Sequence, residues 1–340
     1  MFDFSQFINL PLIWGLIIAT AIFIYIFLDG FDLGIGILFP FAPSDKCRDR
    51  MMNSIAPFWD GNETWLVLGG GGLFAAFPLA YAILLPAFYM PIILMLLGLI
   101  LRGVAFEFRF KSEEHTRRLW DYTFHIGSLT ATFCQGTILG AFIQGVSVQG
   151  RNFAGGSFDW VSGYSVMTGI ALIAGYSLIG ATWLVMKTED ITQEWARKTA
   201  SYVLGFVVFF FIMVTIGMPL HDEYIQNLWF STPGLYYLIP LPIITAGAFI
   251  LLWRDLHQKK HENRPFFTSI SIFLTAYIGL GVSMYPWIVP FHFTLWEAAA
   301  SGPSLSLMLV GVAPLLPLIL SYTGYCYYIF RGKTSHEHEY

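Results

Sequence analysis

The sequence predicts an all-α, polytopic membrane protein: nine transmembrane helices in a bundle, with the N-terminus outside and the C-terminus cytoplasmic. Three observations predict it. Hydrophobic residues make up 56 % of the 340 residues and charged ones only 12 %, and the mean hydropathy of +0.62 is far outside the usual soluble range. The apolar residues come in stretches of roughly 20, the length a helix needs to cross a bilayer. Every one of the 18 Lys and Arg residues except Arg151 follows an odd-numbered stretch, which the positive-inside rule reads as the cytoplasmic side.

Taken in order, the spans fall at about 12–39, 60–81, 86–106, 120–144, 161–186, 200–219, 233–253, 267–290 and 304–330, within one transmembrane domain over 1–340. The opening "MFDFSQFINLPLIWGL" has no basic n-region and no small-residue cleavage site, so it reads as a retained first helix. Loops are short and basic after the odd spans. The Gly-rich loop 145–160 and the stretch "YPWIVPFHFTLWEAAASGPSL" read as ordered external excursions. Cys47, Cys134 and Cys326 show no metal-ligand spacing and read as reduced thiols, Cys47 in a short loop. The net charge of −4 says little about partners beyond membrane lipid, and no nucleic-acid motif is present.

The informative feature is "YIFLDGFDLGIGILFPF", which sets Asp29 and Asp32 inside an apolar helix. An ionised side chain at that depth costs several kcal/mol unless paired, protonated or wetted. Asp29 lies 17 residues beyond Leu12, about 25 Å along the helix, in the inner half of the bilayer. At a spacing of i, i+3 the two acids share one face, which must look into the bundle. The next helix carries Asp60 and Glu63 near its cytoplasmic start, again i, i+3. A short connection makes the two helices antiparallel neighbours, with the acidic pairs facing one another at similar depth. Two readings follow: a proton route from the cytoplasm, since closely held carboxylates keep exchangeable protons, or structural ion pairs with Arg102 or Arg109. Arg102 is the deepest basic residue, a counter-ion to the acids or a side chain snorkelling to the headgroups.

"GGGG" at 69–72 suggests close helix packing or a kink, or the broken helix of an ion-binding transporter. "RRLWDYTFHIG" puts Trp120 at the interface, Asp121 at a helix start and His125 one turn further in. Only His125 of the eight histidines lies clearly within a span, so the chain cannot supply two facing axial ligands for a haem. No metal site is expected, and the tail "SHEHEY" reads as solvated. The aromatic runs "FVVFFFIM" and "YTGYCYYIF" suit a quinone site or lipid contact but mostly fill the bundle.

These motifs resemble a family. "DGFDLGIG", "NSIAPFWDGNETWLVLGGGGLFAAFP", "RGVAFEFR" and "WD" are similar to subunit II of the cytochrome bd-type quinol oxidases. So are the external "MYPWIVP", "TLWEAAAS" and the "YTGYCYYIF" end, and the short chain looks like the cyanide-insensitive branch. The resemblance implies a heterodimer with a homologous subunit I in the bacterial cytoplasmic (inner) membrane, with room for small accessory subunits. The complex would oxidise quinol and reduce dioxygen to water. Haem b and haem d would be ligated by subunit I, leaving no catalytic residue here, with a bound quinone or lipid admissible in this subunit. Asp60, in the motif Trp59-Asp60-Gly61-Asn62, matches the position implied in proton uptake. Asp29 and Asp121 match acids linked to haem assembly or stability, and Arg102 matches the family's arginine. Glu107 stands where an aspartate is common, and Glu63 where some members have Gln. Asp32 completes the first acidic pair. A rival from another class is a secondary transporter with an intramembrane acidic ion site built from Asp29, Asp60 and the glycine run. A second rival keeps the complex and makes this chain a scaffold only.

Overall fold

The computed structural model describes residues 8–220 and 222–334. The expectations on the first seven residues and on the "SHEHEY" tail lie outside the described residues, as do His221, His336 and His338. The chain is 81 % helical. Among the described residues, eight helical segments are long and apolar enough to cross a membrane.

Helix α1 (Leu10–Leu38) starts where the Asn9 side chain accepts from the Leu12 amide, with Pro11 in the first turn, a favoured helix start. After a 3-10 turn over Phe39–Phe41 comes α2 (Asp45–Asn53), capped by Ser44. Cys47 therefore sits in a short helix rather than in an open loop. Helix α3 (Trp59–Ala76) forms where the second span was expected, but its first turn is too polar to count among the eight. It stops at Ala76 rather than near 81, because Pro78 has no amide hydrogen to continue the ladder. Phe77 makes the corner alone (φ −132°, ψ 64°).

Helix α4 (Pro78–Lys111) kinks at Phe88, between Pro86 and Pro91. Beyond the kink it runs back along α3, so that Gly103 meets the Trp59 ring. Helix α5 (Glu114–Gln144) leads into a hairpin of β1 (Val148–Gln149) and β2 (Asn152–Phe153), and α6 (Gly163–Lys187) follows from a Ser162 capping box. Then come α7 (Asp190–Gly217), α8 (Glu223–Phe230), α9 (Gly234–Leu238) and α10 (Pro240–Gln258). Helix α11 (Arg264–Met284) ends six residues short of the expected 290, because the chain turns extended at Tyr285 before Pro286. There β3 (Trp287–Val289) pairs with β4 (Phe293–Thr294), followed by α12 (Leu295–Ala298) and α13 (Gly302–Ile329).

Helix α1 is the hub, packed on α3, α5 and α6, and from Leu28 to Leu38 every residue is buried. Its contact with α6 is backbone on backbone: a Cβ on Gly34 would stand 1.9 Å from the Tyr176 carbonyl oxygen. Only glycine permits that approach. The glycine run at 69–72 lies in an unbroken α3, with Gly69 and Gly72 against Ile22 and Ile18 of α1. It is a packing surface, as one of its readings held. By contrast α7, α10 and α13 bury only 11 % of their apolar windows and form the periphery.

The basic segments gather at one end. Arg50 reaches Glu189, Lys333 bridges Glu189 and Glu262, and Lys187 donates to the carbonyls of Phe330 and Gly332. Both hairpins pack with the start of α1 and the α3–α4 corner at the other end, where Arg151 lies in the β1–β2 turn.

Candidate functional site

Four helices deliver polar side chains to one place near the basic end. Helix α1 presents Asp29 and Asp32, both 0 % exposed, and α4 presents Arg102, 2 % exposed. Arg102 Nη1 donates to Asp29 Oδ1 at 2.6 Å, and Nη2 donates to Glu63 on α3. Asp32 has no cation of its own. Its Oδ2 accepts from Asn62 Nδ2 at 2.8 Å, and the same amide donates to the Leu28 carbonyl at 3.2 Å. The far side of that amide accepts from Tyr327 OH of α13 at 3.0 Å. Tyr327 thereby fixes which way Asn62 faces and directs its NH2 group at Asp32.

The charges do not balance. Asp29, Asp32 and Glu63 converge on one guanidinium, while Asp29 Oδ2, Asp32 Oδ1 and Arg102 Nε have no partner among the described residues. A buried charge that is not compensated costs several kcal/mol, so three ionised carboxylates around one cation are unstable and the cluster must bind protons. Asp32, Arg102, Trp59, Ile55, Phe106 and Phe124 line a crevice too narrow for a water molecule. Glu63 keeps 30 % of its side chain exposed.

Two turns along the same face of α4, Arg109 makes a second cluster. Its Nε donates to Asp121 at 2.6 Å and its Nη1 to Asp49 at 2.6 Å, with the guanidinium stacked 5.1 Å from the Phe39 ring. Arg48 lies 3.9 Å from Asp121 and Arg117 3.9 Å from Asp49. Arg48 is also paired with Asp45, so three cations here meet three acids. The result ties α2, α4 and α5 together.

The cytochrome bd terminal oxidase subunit II family matches residues 10–330. This chain belongs to that family. It is 30 % identical, over 335 residues, to cytochrome bd ubiquinol oxidase subunit 2 of Bacillus subtilis (strain 168), covering 96 % of this chain and 97 % of that one. It is 29 % identical to cytochrome bd-I ubiquinol oxidase subunit 2 of Escherichia coli (strain K12), covering 96 % of each. The bd oxidase structure from Geobacillus thermodenitrificans shares the fold, with a TM-score of 0.74 over 95 % of this chain and 99 % of that one, at 17 % identity.

Within this subunit II the predicted residues separate into two sets. Asp29, Asp32, Asn62, Glu63 and Arg102 come together, and Asp121 joins Arg109 instead. Asp60 was expected to face Asp29 and Asp32 at their depth; it lies instead on the exposed outer side of the first turn of α3, with Gly61 beside it. The reason is helical phase, since the face that carries Asn62 inward carries Asp60 outward. Glu107 is also exposed, with Lys111 at 3.7 Å. Trp59 packs on Phe106 with ring centroids 5.2 Å apart. Tyr327 and Asp49 were missed: one sat in an aromatic run read as filler, the other in a basic loop read only for its charge.

The described histidines do not form a haem ligand pair. His125 Nδ1 sits 3.3 Å from the Gly36 carbonyl with its ring against Phe41, and His115, His257, His261 and His292 are exposed. No three His, Cys, Asp or Glu side chains are grouped to hold a metal among the described residues. Among the described residues the donor set does not fit a haem.

Proposed function

We propose that this chain passes cytoplasmic protons to an oxygen-reducing partner through the acids gathered on Arg102. The chain is a subunit of a cytochrome bd-type terminal oxidase, a quinol:oxygen oxidoreductase complex, and is a multi-pass protein of the bacterial inner membrane. Its partner is subunit I, which holds haems b and d and supplies the electron transfer and oxygen binding. Quinol gives up its protons outside, and dioxygen takes up protons from the inside as it becomes water. The assembly thus separates charge without pumping.

In this arrangement α3 is a ninth span, the N-terminus is outside and the basic end faces the cytoplasm, as the charge asymmetry favours. Asp60 and the half-exposed Glu63 collect protons at the rim, and Asp32 and Asp29 hold them within the bundle. The outer faces of α7, α10 and α13 are left for lipid, accessory subunits or a quinone. The observation that carries the proposal is the excess of buried carboxylates over cations around Arg102. The transporter reading finds no support, since α3 runs unbroken through its glycines.

The test uses Asp60→Asn and Glu63→Gln in the intact complex. Reduced-minus-oxidised haem spectra should be normal, while quinol-driven oxygen consumption per haem d falls about tenfold or more, the loss expected of a missing proton-transfer group. Normal spectra with normal turnover in both variants would leave this subunit a scaffold.

A further inference from the structure

Helix α13 is held at its two ends and loosely in between. Of its 28 residues only Leu305 and Ser306 are buried, both near its start, where the Leu305 carbonyl accepts from Trp14 Nε1 at 3.1 Å. Pro314 and Pro317 then each remove an amide donor from the ladder, so the outer anchor does not by itself fix the inner end. That end is held by Lys187, the last residue of α6, which is 4 % exposed. Its Nζ donates to the Phe330 carbonyl and, at 3.1 Å, to the Gly332 carbonyl. The first of these is an orphan acceptor at a helix C-terminus, where a cation is favoured. The chain returns the contact, since the Thr334 amide and hydroxyl donate to the Lys187 carbonyl at 2.9 and 3.1 Å. The ammonium also lies 5.2 Å from the Trp183 ring and 5.7 Å from the Phe58 ring, within reach of a cation–π attraction.

The same rings enclose Tyr327. Phe58 stacks on it with centroids 4.3 Å apart, and Trp183 meets both rings edge-on, at 6.2 Å from Tyr327 and 5.9 Å from Phe58. Tyr327 precedes Phe330 by less than one helical turn. Its hydroxyl donates to Asn62 Oδ1 at 3.0 Å, and Asn62 Nδ2 donates to Asp32 Oδ2 at 2.8 Å. Each link from Lys187 to Asp32 is thus a hydrogen bond, a ring contact or part of one turn of helix. We propose that Lys187 is a positioning residue for Asp32: it fixes the inner end of α13 so that Tyr327 reaches Asn62 and Asn62 turns its amide to the carboxylate. This rests on the reading that the Arg102 cluster handles protons. Burying an ammonium is costly unless it is met by partners. Those of Lys187 are carbonyls and rings, with no carboxylate among the described residues, so it sets backbone position and balances no acid. Arg197 caps α10 in a comparable way, donating to the carbonyls of Asp255 at 3.1 Å and His261 at 3.4 Å. Among the described residues, no side chain at that end of α10 bonds to the Arg102 cluster.

The experiment measures oxygen consumption per haem d and thermal unfolding of the intact complex carrying Lys187→Met, Tyr327→Phe or both, with Arg197→Met beside them. Lys187→Met and Tyr327→Phe should each lower turnover per haem d by about fivefold, the factor that one hydrogen bond carries. The double variant should fall no further than about fivefold, against about 25-fold for independent sites, because both changes remove the same placement of Asn62. Arg197→Met should lower the unfolding temperature and leave turnover per haem d unchanged, as a cap that only stabilises does. Normal turnover in Lys187→Met beside an impaired Tyr327→Phe would overturn the proposal, as would effects that multiply. So would an equal loss of turnover in Arg197→Met, since any helix cap would then do the same. Should Lys187→Met fail to assemble, deletion of residues 332–340 decides by the same comparison, since it removes the Gly332 carbonyl and Thr334 at the exposed end of the chain. Failure of the proton-route reading looks different: Asp32→Asn would then turn over normally. The Lys187→Met and Tyr327→Phe shifts in unfolding temperature would still be non-additive, and additive shifts would overturn the positioning as well.

Discussion

Arg102 and Arg109 lie seven residues apart on one face of α4, are equally buried, and each bonds two carboxylates. Their surroundings differ in charge balance. Around Arg109, the cations Arg48, Arg109 and Arg117 meet the acids Asp45, Asp49 and Asp121, and the charges balance. Around Arg102 a third acid, Asp32, is left with an amide and no cation. The first arrangement is a rivet between helices. The second has to bind a proton to persist, and a site with that property can give the proton up again. Two arginines with nearly the same coordination therefore sit in different charge environments, because one more carboxylate reaches one of them.

The comparison can be broken most directly at Arg102. Arg102→Leu strands Asp29 and Glu63, and should cost about 3–5 kcal/mol, the usual effect of removing one partner of a buried pair. The amount of assembled complex recovered from membranes measures it, and Arg102→Leu with Asp29→Leu should recover part of the loss. Next in size is the contrast between Asp32→Asn and Asp121→Asn. Asp32→Asn should leave thermal stability near that of the parent and reduce oxygen consumption per haem d by about tenfold or more. Asp121→Asn should do the reverse, lowering stability by about 1–3 kcal/mol with turnover per haem d unchanged. If both variants lost turnover alike, the two clusters would not be distinct.

Smaller effects sharpen the boundary of the inner site. Tyr327→Phe removes the hydroxyl that orients Asn62, at a cost of about 1 kcal/mol, and its alkaline turnover limb should shift while that of Asp121→Asn does not. The smallest effect lies at the C-terminal clasp. The Lys333 hydrogen bond holds the Glu262 carboxyl below its ordinary range, with slight burial opposing it. A depressed acid contributes stability above its unfolded value and loses it as pH falls through the folded one. Acidification below that range should therefore expose the chain after α13 to proteolysis, and high salt should do so at neutral pH.

The route from sequence to site was open for some residues and closed for others. Asp29, Asp32, Glu63 and Arg102 stand out because charge inside an apolar stretch is costly and must be answered by another charge. Apolar run length and the placement of Lys and Arg likewise located the helices, and the resemblance supplied the family. The rotation of Asp60 away from the acids could not be read, because a few tens of degrees of helical phase decide whether a side chain in a helix's first turn faces a neighbour or the exterior. Nor could the end of α3 at Ala76, since the apolar run continues past the corner at Phe77.

What the sequence determined by itself, then, was composition-driven: a bundle of apolar helices, basic at one end, with acids buried in the first hairpin. Only the tertiary structure decided which acid lacks a cation. That depends on contacts such as Tyr327 to Asn62, separated by 265 positions, and Arg102 to Asp29, separated by 73. Periodicity reports which face of a helix is buried. It holds no information about which neighbour that face meets, because the meeting is set by how whole helices pack.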